Sequence, residues 1–201
     1  SFLNKYWYTF GTIIFVGVWY FFAVRIRSLS LLEDTSGTAD FAIYKKVKVY
    51  AAIFLPIAAF SSAAIIWLWT MSIDPHWYST MYAWYTTASW FVAALALTIL
   101  TIIYLKSKGY LDNVSDEHLH DLGKYMFAFS VFWAYLWFSQ FMLIWYANIG
   151  EETIYFKLRR DEYPILFYGN LLMNFFLPFL ILMKNDSKRK YGILTFASLL
   201  I

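Results

Sequence analysis

Cysteine is absent from the 201 residues of the chain. That absence excludes disulfides, thiolate metal sites, iron–sulfur ligation and covalently attached c-type haem from this polypeptide. Charge is scarce as well. Only 14% of the residues are Asp, Glu, Lys or Arg, against about 25% in ordinary soluble domains. A formal net charge of +3 gives no sign of a nucleic-acid partner. The three histidines, His76, His118 and His120, fall between the long apolar runs, and no carboxylate lies inside one. A haem held between two membrane-embedded His ligands is therefore not expected, and a complete buried carboxylate relay is not encoded.

What is present is hydrophobic length. The composition is 61% hydrophobic and 23% aromatic, which places the chain among membrane proteins. The stretch from His120 to Glu152 dominates: between Lys124 and Glu151 it carries no charge and is crowded with Phe, Trp, Tyr, Leu and Met. That exceeds the ~20 apolar residues a helix needs to cross a ~30 Å hydrocarbon core. Five such spans can be drawn, Tyr6 to Val24, Tyr50 to Ile73, Trp77 to Leu105, Tyr125 to Gly150 and Tyr163 to Met183, with a sixth starting near Tyr191. The expected fold is an all-α, polytopic transmembrane helix bundle forming one region over residues 1–201. The missing initial Met and the short final apolar run lead us to expect a longer subunit.

Basic residues set the expected orientation. Arg25, Arg27, Lys45, Lys46, Lys48, Lys106, Lys108, Lys124, Lys184, Lys188, Arg189 and Lys190 all fall on one side of the alternating spans, and Lys5, Lys157, Arg159 and Arg160 on the other. The positive-inside rule puts the first group in the cytoplasm. Trp67, Trp69, Trp77, Tyr78, Tyr82, Trp84 and Tyr85 then crowd the outer membrane face, as do Trp145 and Tyr146, as an aromatic belt requires. The second span has a small-residue face, Ala58, Ala59, Ser61, Ser62, Ala63 and Ala64, suited to close helix packing, with Pro56 as the site of a kink.

Few residues can carry chemistry. Asp74-Pro75 reads as the N-cap and first position of the third helix. That leaves His76 as a titratable group at the outer rim, a proton-exchange point or a hydrogen-bond donor to a quinone. His118 and His120 read as loop residues, and Asp121 as the N-cap of the fourth span. A metal site there lacks a third ligand. Tyr135, Ser139 and Tyr146 share one helical face, and Gln140 points elsewhere. Asn170 and Asn174 share another face, four residues ahead of Pro178, which cannot donate to the carbonyl of Asn174. The two amides serve either as interhelical glue or as water ligands.

Several segments taken together resemble a family: SFLN, SSAAIIWLWTMSIDPHWYSTMYAWY, YLKSKGYL, HLHDLGKYMFAFSVFWAYLWFSQFMLIWYANIGEET and FLILMKNDSKRKYG. They are similar to the F-subunit (ActF) family of bacterial alternative complex III, itself similar to the NrfD/polysulfide-reductase membrane subunits with their four-helix bundles. The resemblance implies a multi-pass subunit of a quinol:electron-acceptor oxidoreductase in a bacterial inner membrane. Its implied partners are a paralogous quinol-binding subunit, a multihaem cytochrome c subunit, an iron–sulfur subunit and a terminal oxidase, together with lipids. Haem c and iron–sulfur clusters would reside in those partners, and this chain would have a structural and proton-conducting part. Asp74, His76, Asp121 and the polar face of the fourth span carry over from the matching blocks. The route expected for protons joins Tyr135, Ser139, Tyr146, Asn170 and Asn174, with Asp74 or His76 at its mouth. The alternatives are a quinone-binding subunit with its own site near His76, and a helical transporter.

Overall fold

Apolar runs longer than the hydrocarbon depth leave the backbone few ways to satisfy its hydrogen bonds, and the helix is the local one. The computed structural model describes residues 4–36 and 41–201, so the first three residues of the SFLN match lie outside the described part. Every regular element among the described residues is helical. Five helices are long and apolar enough to cross a membrane: Lys5–Thr35, Phe41–Ile73, Thr80–Ser107, Asp116–Ala147 and Pro164–Leu182. The protein is an all-α, multi-pass membrane protein. It divides into two compact units, Ser1–Pro75 and His76–Ile201.

The first unit is a hairpin of α1 (Lys5–Ser36) and α2 (Phe41–Trp69), followed by a 3₁₀ turn, Met71–Ile73. Both helices outrun the apolar spans. α1 continues past Arg25 and Arg27, and α2 starts before Lys45 and runs unbroken through Pro56. Two indole donors fasten the pair: Trp19 Nε1 donates to Ser61 Oγ at 2.7 Å, and Trp69 Nε1 to Thr12 Oγ1 at 3.0 Å. Such bonds replace water that lipid cannot supply. Ser61, Ser62 and Ala63 on the small-residue face are buried.

The second unit contains α3 (Thr80–Ser107), α4 (Asp116–Ala147), α5 (Gly150–Glu162), α6 (Pro164–Leu171), α7 (Leu177–Leu182) and α8 (Tyr191–Leu200). α6 and α7 are one span joined by a π turn, Leu172–Phe176, in which Leu177 N–H bonds Leu172 O. Pro178 sits one residue beyond. Its ring would crowd the carbonyl four residues back, and a widened turn relieves that. α3 packs on α4 and α8, and α7 packs on α4 and α8, so four helical columns close a ring. Val92, Ala96, Ile99, Leu119, Met126, Leu182, Leu194 and Ala197 form the core between them.

Two expected helix starts are corrected. Asp74 is the C-cap of the 3₁₀ turn, and α3 begins later, where Ser79 Oγ accepts from Tyr82 N–H at 3.3 Å. A serine nearer the first helical turn displaces the Asp-Pro signal. α4 begins at Asp116 behind Ser115, whose N–H donates to His118 Nδ1 at 3.1 Å, the reciprocal half of a capping box. His118 and His120 are thus helical rather than loop residues. Asp121 lies inside the helix and pairs with Lys124 at 2.9 Å.

Below that start, polar contacts tie the helix ends together. Arg189 reaches Glu117 at 2.7 Å, Lys106 reaches Asp116 at 3.9 Å, and Tyr191 donates to Asp116. Gly123 lets α8 and the turn before it come close: a Cβ there would lie 3.0 Å from Leu194 Cδ2 and 3.3 Å from Lys188 Cβ.

Candidate functional site

Three elements of the second unit bring polar side chains to one cavity, Asn170 among them being exposed. α3 contributes Tyr85, Thr86 and Ser89, α4 contributes Ser130 and Trp133, and the α6–α7 span contributes Asn170 and Asn174. They line a cavity of about 310 Å³. Ser89 Oγ donates to Thr86 O at 2.8 Å, leaving its lone pairs for the cavity. Asn174 Nδ2 donates to Asn170 O at 3.1 Å and to Asn170 Oδ1, so the two amides form one unit across the π turn.

Two donors at this cavity lack a partner. Ser130 Oγ and Trp133 Nε1 make no hydrogen bond, and their residues are only 1% and 3% exposed. A buried donor without a bond costs about 1–3 kcal/mol, so an acceptor brought to either one would be stabilising. Gln140, two to three turns further along α4, is also 1% exposed with both amide atoms unbonded.

A second cavity, of about 460 Å³, shares Tyr85 and Asn170 with the first. Its lining from α5 is Tyr155, Leu158 and Arg159, and α5 lies between the fourth and fifth spans expected from the sequence. Tyr155 is the organising ring. Its hydroxyl shares a hydrogen bond with Tyr85 OH, and Trp77 stacks on it at 4.2 Å with an interplanar angle of 12°. The Arg159 guanidinium carbon lies 3.4 Å from the Tyr155 ring centre. The indole and the guanidinium cannot occupy the same face, so the phenol is sandwiched. Burial holds the Tyr155 hydroxyl above the usual tyrosine range, opposed by its bond to Tyr85 and by the Arg159 charge.

The residues singled out from the sequence separate into groups. Asn170 and Asn174 come together at the cavity. Ser139 is half-buried and lines neither cavity, while Tyr135 and Tyr146 are 64% and 86% exposed. The Tyr135–Ser139–Tyr146 face thus turns out of the ring, and the opposite face, carrying Ser130, Trp133 and Gln140, turns in. Asp74 and His76 are exposed and line neither cavity. His120 is 4% exposed, with Nδ1 3.7 Å from Glu117 Oε2, too long for a hydrogen bond.

The arrangement defines a class: a multi-pass helical membrane protein with hydroxyl, indole and amide groups converging within its second unit. No protein-family model matches the sequence, and no curated protein is significantly similar to it.

Proposed function

We propose that the chain is an integral membrane subunit of a quinol:electron-acceptor oxidoreductase of the alternative complex III kind, in a bacterial inner membrane. Support comes from the five quoted sequence segments and from the polar cavity between α3, α4 and the α6–α7 span. In this reading electrons pass through partner chains bearing haem c and iron–sulfur clusters. This chain frames the assembly and conducts protons through water held by Tyr85, Ser89, Ser130, Trp133, Asn170 and Asn174.

One observation carries the proton-conducting part: Ser130 and Trp133, each with a buried donor that makes no hydrogen bond, line a cavity of about 310 Å³. A water takes roughly 30 Å³ of liquid volume and needs two to four polar partners, and both conditions are met. Hydroxyls and water pass protons along. The paired amides do not; they orient the water. The route differs from the sequence expectation, because it runs on the inward face of α4 and leaves out Tyr135 and Tyr146.

The test uses the intact complex in proteoliposomes. Ser130→Ala combined with Asn174→Leu is expected to lower the protons moved per electron while quinol oxidation continues, and Tyr135→Phe with Tyr146→Phe is expected to change neither. Unaltered translocation in the first variant would sink the route. Purification of the tagged chain from native membranes without any haem-bearing partner would sink the assignment to such a complex.

A further inference from the structure

Arg159 is the single charged residue lining the larger cavity. Its side chain is held rather than waving: Nη1 donates to Tyr155 O at 3.0 Å, and the guanidinium is pressed on the Tyr155 ring, which Trp77 backs. No carboxylate among the described residues reaches it. Its neighbour Arg160 pairs with Asp161 at 3.0 Å, and Arg189 pairs with Glu117 at 2.7 Å. Of the five N–H groups a guanidinium presents, one is used in a described bond, and the others remain for an anion. A half-buried cation without an opposite charge is unfavourable until one arrives.

The setting selects the anion. α5 is a polar helix between two spans, which places it at the membrane surface. Around Arg159 the cavity is walled by Trp137, Leu158, Leu166 and Phe167, and Ile154, Leu158, Ile165 and Leu166 present apolar surface outward. A fixed guanidinium above an apolar wall at that depth matches an anionic amphiphile. A free phosphate gains nothing from the apolar wall, and a neutral carbonyl leaves the charge unpaired. Neither Asp nor Glu lines the cavity to receive the cation of a zwitterionic headgroup, and both faces of Tyr155 are occupied.

We propose that this cavity binds an anionic phospholipid. Its phosphate sits in the fork of Arg159, and one acyl chain lies along Leu158, Leu166 and Phe167. Tyr82 and Tyr163 also line the cavity, and their hydroxyls are the donors proposed for the remaining headgroup oxygens.

The unaltered protein decides first. After delipidation in detergent it is supplied with phosphatidylglycerol or phosphatidylcholine, and bound lipid is counted by native mass spectrometry alongside the melting temperature. Phosphatidylglycerol is expected to be retained under conditions that strip phosphatidylcholine, and to raise the melting temperature more. Arg159→Gln is expected to weaken that retention about tenfold, the effect of one charge-assisted contact, with Arg160→Gln unchanged. Leu166→Trp, which fills the acyl groove and keeps the arginine, is expected to lose retention too. Equal retention of the two lipids, full retention in both the Arg159→Gln and the Leu166→Trp variants, the same melting shift with inorganic phosphate alone, or displacement of the lipid by a quinone would each overturn the proposal.

Discussion

Tyr155 lines the larger cavity and is hydrogen-bonded to Tyr85, which lines both, and its environment sets its behaviour. Burial keeps its phenol protonated beyond the usual tyrosine range, whereas the unfolded phenol ionises near pH ~10. Above that pH the unfolded state binds fewer protons than the folded state, so this group makes stability fall as pH rises. Below it the contribution is flat. Tyr155→Phe keeps the Trp77 stack and the Arg159 contact but removes the titration and the bond to Tyr85. It is expected to lower stability by about 1 kcal/mol at neutral pH and to flatten the alkaline loss between about pH 9.5 and 11. Thermal unfolding of both proteins across that range reads both effects. An equally steep loss in the variant would assign the alkaline sensitivity to other groups. At this scale the sequence told half of the story. Asn170 and Asn174 could be found because amides are rare in apolar runs and Pro178 marks the π turn that contains Asn174. Ser130 and Trp133 could not be preferred over Tyr135 and Tyr146, since both faces of α4 are mostly apolar. Lipid is as apolar as a helix interface, so hydrophobic period alone does not say which face turns inward.

Among the helices, close approach has local causes. α4 meets α8 and the turn before it at Gly123, where a methyl group would press on Leu194 and on the stiff Cβ of Lys188. Gly123→Ala gains up to ~1 kcal/mol of helix propensity but meets overpacking of about 1–3 kcal/mol. It is expected to destabilise by roughly 1 kcal/mol, and Gly123→Val by more. Gly17 in α1 has nothing within 4 Å of its would-be Cβ, so Gly17→Ala is expected to be neutral or to stabilise by about 0.5–1 kcal/mol. Chemical denaturation in mild detergent compares the two, and equal shifts would mean that the contact at Gly123 is not tight. The helix starts show why boundaries are harder to read than spans. Asp74-Pro75 and Asp121 have the right chemistry for N-caps, but Ser79 and Ser115 have it too and win by position. The π turn was legible only as a missing proline donor, because its extra residue leaves no mark in composition.

At the scale of the molecule, the five spans were the most legible feature, because hydrocarbon thickness sets a length that few sequences meet by chance. The two-unit division and α5 were not: α5 is a polar helix whose only buried residues are Tyr155 and Phe156, too few to give a period. Orientation rests on lysine and arginine counts and can be tested directly, since a chain without cysteine accepts a single reporter thiol on a silent background. Glu151 and Asn185 are both exposed, and they flank the span Pro164–Leu182, whose 19 residues reach about 28 Å at 1.5 Å each. That matches the hydrocarbon core, so the two positions belong on opposite sides. Asn185 neighbours Lys184, Lys188, Arg189 and Lys190, and the positive-inside rule predicts that it faces the cytoplasm. In intact spheroplasts an impermeant maleimide should label Glu151→Cys, and should label Asn185→Cys only after permeabilisation. Labelling of both from outside would remove the span. The reverse pattern would keep the span but turn the protein over, and would place Arg159 with its cavity at the inner leaflet.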